Sequence, residues 1–309
     1  MSSPPEIKTA LQQIPSVDRL VENVLLKSWN ERMVRSFRVR MAQEIIDVVR
    51  AEVIATGVCP LEAELVNRLA NAYQGLVSTK LRKVINATGI ILHTNLGRAP
   101  LGVAWWQEAR EVLEGYSDLE FDVTTGERGS RTSRLETLMK AVTGADAAVV
   151  VNNNAAALFL ILHSLARGKK AVVSRGELVQ IGGGFRVPDI MESSGVGLSE
   201  VGTTNITLVS DYEKAVSPET AVLLKVHQSN FVVQGHTSEV SVKELSQIAR
   251  AHKLPLVLDL GSGLVTEDKV EALSVTKALE QGASLICFSG DKLLGGGPGR
   301  VYCWFDGFN

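Results

Sequence analysis

The first ~80 residues place apolar side chains at helical spacing. Val21, Val24, Leu25 and Trp29 share one face, and Ala42, Ile45, Ile46, Val49 and Val53 share another. Pro60-Leu61-Glu62 has the form of a helix start, with proline at or near the first position. No strand pattern occurs in this region. From Val84 to Leu101 apolar residues mix with turn formers, which sets a domain boundary between residues 82 and 83. Leu135–Val142 reads as an amphipathic helix, and then the pattern changes again. Short, continuously apolar runs predict strands at Ala147–Val151, Ala171–Ser174, Ala221–Val226, Leu256–Leu260 and Ser284–Phe288. Helical segments lie between them, notably Leu158–Leu165, Val242–Ala251 and Thr276–Gln281. Such alternation predicts an α/β domain with a largely parallel sheet covered by helices on both faces.

Sheets of this kind bind ligands at the carboxyl ends of their strands. The polar residues that follow the predicted strands are therefore the candidates. They are Asn152, Asn153 and Asn154 after one strand, His227, Ser229 and Asn230 after another, Asp259 leading into Gly261-Ser262-Gly263, and Lys292 after Phe288-Ser289-Gly290-Asp291. A lysine just past a buried strand end is open to desolvation, which lowers its pKa and frees its amine for Schiff-base chemistry with an aldehyde cofactor. An aspartate in a matching place can keep a pyridine nitrogen protonated, and a polar helix start can hold a phosphate. Taken singly, Lys292 reads equally well as a turn lysine and Asp259 as a helix cap. The coincidence of all three features points to pyridoxal 5'-phosphate. Dinucleotide and nucleotide readings lack support: no GxGxxG follows a strand, Gly182-Gly183-Gly184 included, and no GxxxxGK[ST] is present. HExxH and GxSxG are absent as well.

Composition narrows this only a little. The net charge of -2 predicts no basic nucleic-acid surface overall. Locally, Lys27, Arg32, Arg35, Arg38 and Arg40 cluster on a helical stretch that reads either as a solvated face or as one that contacts RNA phosphates. His93 and Arg98 sit among glycines and asparagines, where loops expose backbone donors, and Arg128 and Arg131, three apart near glycines, read either as an anion clamp or as part of a solvated loop. The three cysteines, Cys59, Cys287 and Cys303, are scattered and give neither a disulfide framework nor a CxxC metal site. With no leader pattern and no apolar stretch of spanning length, the expected compartment is the cytoplasm, without membrane association.

Seven stretches together resemble the bacterial L-seryl-tRNA(Sec) selenium transferases: Val84–Leu101, Val151–Ala157, Ser174–Asp189, Glu200–Thr207, Lys225–Gly235, Asp259–Gly263 and Phe288–Gly296. The resemblance implies a large domain of the aspartate-aminotransferase type (fold type I), residues 83–296, with a mostly parallel sheet. A small helical tRNA-binding domain, residues 1–82, precedes it. It further implies pyridoxal 5'-phosphate on Lys292, Asp259 at the ring nitrogen, and Asn152, Asn153, Asn154 and Ser289 near the phosphate. Arg98, Arg128, Arg131 and His227 are implied at the substrate and its anion. The implied reaction is β-replacement of the serine hydroxyl of seryl-tRNA(Sec) with selenium from selenophosphate, carried out by a ring of dimers. Two rival readings stand beside it: a related lyase acting on a small amino compound, and an inactive product that binds tRNA or cofactor only.

The chain departs from this pattern in two places. Ile206 stands where the family has arginine in its TTNRT motif, so one polar contact is expected to be missing. After Gly296 the family continues PQAG and an apolar run, whereas residues 297–309 read GPGRVYCWFDGFN. In the neighbouring frame these codons can spell Gln-Ala-Gly-Phe-Ile-Val-Gly-Leu, which suggests one inserted base near the Gly296 codon. The expectation is an aberrant tail whose Val301, Tyr302, Trp304, Phe305 and Phe308 form an exposed sticky end, with the C-terminal small domain missing.

Overall fold

The computed structural model describes residues 5–181, 184–228, 231–265, 273–296 and 301–305. Gly182, Gly183, Ser229, Asn230, Phe308 and the rest of the tail beyond Phe305 lie outside the described residues. The chain divides into two compact units, Met1–Ile85 and Asn86–Asn309.

The first unit is helical: α1 (Pro5–Gln12), α2 (Val17–Val21), α3 (Lys27–Asn30), α4 (Arg35–Thr56) and α5 (Glu62–Ser78). Along α4, Ala42, Ile46, Val49 and Val53 recur three or four positions apart and are buried as one stripe. They meet Leu65, Val66, Leu69 and Tyr73 of α5 in a single core. Gly57 closes α4 in the left-handed conformation that glycine adopts most readily (φ 74°). The basic cluster is not a continuous face. Arg38 points inward, 8% exposed, with Glu22 3.8 Å away. Arg35 is taken by Asp18 at 2.5 Å. Lys27, Arg32 and Arg40 are exposed and make no ion pair among the described residues.

In the second unit α6 (Val103–Leu113) comes first, followed by the hairpin β1 (Phe121–Asp122) and β2 (Glu127–Arg128) and by α7 (Ser133–Thr143). The alternation then runs β3 (Ala147–Val151), α8 (Asn154–Ala166), β4 (Lys170–Ser174), the hairpin β5 (Gln180–Ile181) and β6 (Phe185–Arg186), α9 (Val187–Ser194) and β7 (Gly197–Val201). It continues with α10 (Val209–Ala215), β8 (Thr220–Val226), α11 (Val242–His252), β9 (Leu256–Gly261), α12 (Val275–Glu280), β10 (Leu285–Ser289) and β11 (Val301–Phe305). The large sheet has seven strands in the order β3-β11-β10-β9-β8-β4-β7. All are parallel except β11, which runs antiparallel to both its neighbours. The fold is therefore α/β with a mostly parallel sheet.

Strand alternation sorts side chains to the two faces of the sheet. Leu256, Leu258, Leu260, Ile286 and Phe288 pack with α11 and α12. Val257, Leu285 and Cys287 pack with α8 and α9 on the other side. Burial on both faces explains why these strands are apolar throughout.

The tail differs from its expectation. Val301–Phe305 is not a free sticky end: its backbone lies between β3 and β10, with Cys303 opposite Cys287 on one side and Val149 on the other. A pentapeptide of strand-favouring residues can fill a gap between two strands whose inner edges would otherwise be unpaired. Among the described residues, α6 buries none of its own positions, and Trp105 and Trp106 are 71% and 62% exposed. No described helix is long and apolar enough to cross a membrane.

Candidate active site

Asp259 ends the apolar part of β9, and its side chain falls on the α8 side of the sheet. It is 3% exposed and accepts a 2.7 Å hydrogen bond from Asn154 Nδ2, in the first turn of α8. Burial pushes its carboxyl above the usual range, while the Asn154 amide, the nearby Lys292 charge, the Gly261 backbone and the Cys287 thiol pull it back. Its backbone carbonyl accepts from His227 N at 2.8 Å, which ties the end of β8 to β9.

Lys292 follows β10 one turn beyond Ser289, and a close approach holds this segment. Leu293 N donates to Ser262 O at 3.0 Å. A Cβ on Gly263 (φ 73°) would sit 2.6 Å from Ser289 O, so the Gly261-Ser262-Gly263 run is the shape that lets the two strand ends meet. The Lys292 amine is half-buried, and its pKa is lowered first by desolvation and then by the Arg98 guanidinium. Asp259 and Asp291 oppose both effects. Arg98 itself adopts the left-handed conformation (φ 60°) and reaches Asp291, whose side chain is 3% exposed, at 2.5 Å. The site thus holds a lysine with a depressed pKa beside one acid reserved for Arg98 and another reserved for Asn154.

Arg98→Gln is expected to raise the Lys292 pKa, because a neighbouring positive charge is lost and Asp291 is released from its partner. Borohydride trapping of a small aldehyde on Lys292, followed across pH, should show its midpoint moving up by about one unit. An unmoved midpoint would mean that Arg98 does not govern the amine.

The other sequence candidates are distributed as follows. Asn153 caps α8, accepting from Ala156 N at 2.8 Å, and Asn152 is exposed just before it. Asn154 was expected beside a phosphate; it is instead turned to Asp259, because a buried carboxylate needs a donor. Ser289 closes β10 and is buried. His227 is half-buried, and burial lowers its pKa. It lines a cavity of about 280 Å³ at the carboxyl ends of β4, β7 and β8, together with Ser174, Glu177, Thr203, Thr207 and Glu239. Arg128 and Arg131 are exposed and share one carboxylate, Glu120.

Sequence reasoning missed Asp291 and the buried pair Lys225 and Glu177. Lys225 Nζ lies 2.9 Å from Glu177 Oε1, and Glu177 Oε2 accepts from Val226 N. A lone lysine inside the apolar run of β8 was the available signal, since such a charge requires a buried counter-charge. Ile206, at the family's arginine position, is held by its backbone: its carbonyl accepts from Thr203 N at 2.8 Å, and the residue bridges to Ser238. No group of three or more His, Cys, Asp or Glu side chains able to hold a metal occurs among the described residues.

With this geometry in hand, similarity to known proteins is informative. Residues 84–301 match the family model described as L-seryl-tRNA selenium transferase. The L-seryl-tRNA(Sec) selenium transferase of Geotalea uraniireducens (strain Rf4) is 46% identical over 295 residues, covering 93% of this chain and 64% of the relative. That of Clostridium botulinum (strain Okra / Type B1) is 44% identical over 294 residues, covering 94% and 64%. The chain spans 64% of the length of these relatives. A solved structure of D-glucosaminate-6-phosphate ammonia-lyase superimposes with a TM-score of 0.59 at 22% identity, over 76% of this chain and 60% of that one, a likeness of fold alone. The matched segment carries Arg98, Asn154, Asp259, Asp291 and Lys292 together, and the chain belongs to the L-seryl-tRNA selenium transferase family.

Proposed function

We propose that this chain carries the catalytic core for converting L-seryl-tRNA(Sec) to L-selenocysteinyl-tRNA(Sec), using pyridoxal 5'-phosphate and selenophosphate. The observation that carries the reading is the placement of buried Asp259 on β9 and of Lys292 just beyond the adjacent β10, each feeling the other's charge, within the segment that matches the family. The residues fit the cofactor on one further point. Asn154 Oδ1 is buried without a hydrogen-bond partner among the described residues, beside the Asp259 carboxylate. A buried acceptor left open next to a buried carboxylate suits a ring N–H donor. The cofactor, when bound, supplies an electron sink for the deprotonated α-carbon of the seryl group.

The chain's own residues supply the rest. Lys292, with its lowered pKa, would hold the aldehyde through Nζ, and the same amine, when free, is placed to take the seryl α-proton and to return a proton to the departing hydroxyl, which leaves as water. Asp259 keeps a ring nitrogen protonated. Arg98 brings positive charge to the site for the selenophosphate anion, and its partner Asp291 keeps that guanidinium in place. The backbone N–H groups that open the 13-residue α8, after Asn152 and Asn153, suit the cofactor phosphate. Selenium joins the β-carbon, and hydrolysis of its bond to phosphorus releases inorganic phosphate. Lys27, Arg32 and Arg40 are exposed cations of the first unit that suit tRNA phosphates, and the bare apolar face of α6 suits assembly with further copies of the chain.

The test is to incubate the protein with seryl-tRNA(Sec) and ⁷⁵Se-selenophosphate, hydrolyse the ester and identify the labelled amino acid. Labelled selenocysteine that depends on pyridoxal 5'-phosphate is the expected result. Ammonia release from a free small amino acid, with no label on tRNA, would instead favour a lyase.

A further inference from the structure

Asp259 sits on a strand flanked by others and must stay anionic inside the protein to do what the proposed function asks of it. Two side chains converge on it, one of them outside the sequence candidates. Strand register sets Cys287 of β10 directly beside Asp259 of β9, and neighbouring strands lie about 4.8 Å apart. Cys287 shares the α8 face of the sheet with Val257 and Leu285, and it is fully buried. From above, the first turn of α8 lowers Asn154 Nδ2 to 2.7 Å from Asp259 Oδ1. From this neighbouring position the Cys287 thiol favours the charged form of the same carboxylate.

We propose that Cys287 and Asn154 form a two-donor clamp that holds the Asp259 carboxylate, making both of them positioning residues for the cofactor nitrogen. A buried cysteine is commonly only a small apolar filler. Here its register partner is the buried acid that the cofactor reading requires to carry charge, and a thiol is a small side chain that packs like an apolar group while still donating a hydrogen bond. This inference rests on the cofactor reading above, but its physical content concerns the ligand-free protein too. The charged or titratable groups around Asp259 are Lys292 beyond β10, Cys287 on β10 and His227 beyond β8; α8 contributes the neutral Asn154.

The experiment compares the parent protein with Cys287→Ala, Cys287→Ser, Asp259→Asn and the Asp259→Asn/Cys287→Ala double variant. Its first arm uses ligand-free protein and measures unfolding by urea from acid to neutral pH. Burial raises the Asp259 pKa above its unfolded value, so its contribution to stability is full below the unfolded pKa and is lost as pH rises through the folded one. Removing a donor raises the folded pKa further. The decline of the parent relative to Asp259→Asn should therefore extend about one pH unit higher in Cys287→Ala. Cys287→Ser, which keeps a donor, should follow the parent.

The second arm measures pyridoxal 5'-phosphate binding by absorbance. Cys287→Ala should raise the Kd about tenfold, and the same change in the Asp259→Asn background should have no further effect. The clamp is refuted by an unshifted pH profile in Cys287→Ala, by an equal loss in the Asp259→Asn background, or by serine proving as harmful as alanine. If the parent binds no pyridoxal 5'-phosphate at all, the cofactor reading fails while the first arm still decides the clamp. Should Cys287→Ala not fold, Asn154→Leu replaces it in both arms with the same expectations.

Discussion

Lys292→Ala abolishes covalent capture of pyridoxal 5'-phosphate: borohydride reduction should add the cofactor's mass to the parent protein and nothing to the variant. Selenium transfer to seryl-tRNA(Sec) should fall by roughly a thousandfold or more, since one side chain serves as both amine nucleophile and proton carrier. The size of the effect follows from the surroundings. Desolvation and the Arg98 charge disfavour the ammonium, so a free amine is present at pH values where an ordinary lysine is protonated. No neighbouring group can take over: Asp291 is engaged by Arg98, Asp259 is held by Asn154, and the buried Lys225 is paired with Glu177. Lys292→Arg should fail equally while keeping the charge, because a guanidinium stays protonated and cannot act as the amine. Peptide mapping of the reduced protein provides the check. Cofactor found on any other lysine of the parent, or retained mass in Lys292→Ala, would move the catalytic role elsewhere.

What the sequence made legible follows burial. The strands β4, β8, β9 and β10 were readable because both faces are covered, so each appears as a mainly apolar run, and β3 because it is apolar throughout. That same rule drew attention to Asp259, which lies within β9, and to Lys292, three residues beyond β10. It could not find β7, Gly197–Val201, whose Ser199 and Glu200 interrupt the run on the outermost strand of the sheet. Arg38 was legible as a cation but not as a buried one, because a helix face is assigned inward only by what packs on it. Asp291 drew no notice because its meaning depends on Arg98, far away in the chain, and Cys287 because its meaning depends on the register of β9. Pairings of this kind are long-range and leave no mark in local periodicity.

The strand β11 shows the same limit with the largest consequence for stability. Cys303→Pro is expected to unfold the second unit or nearly so. A strand flanked on both sides sends each residue's N–H to one neighbour or the other, and β11 is paired with β3 and β10 along its whole length. Proline at Cys303 removes one of these donors and forces its ring into the ladder beside Cys287 and Val149. That costs about 3 kcal/mol or more, out of a total stability on the order of 5–15 kcal/mol. Because β10 carries Lys292 beyond its end and β3 leads into α8 with Asn154, separating those strands also pulls the catalytic groups apart. Urea unfolding followed by far-ultraviolet circular dichroism should show a lower midpoint for Cys303→Pro, with cofactor capture lost in parallel. Cys303→Val, which retains the N–H and favours strands, should stay close to the parent. If Cys303→Pro keeps the parental midpoint, Val301–Phe305 does not hold the sheet together, and β3 and β10 must be joined in some other way.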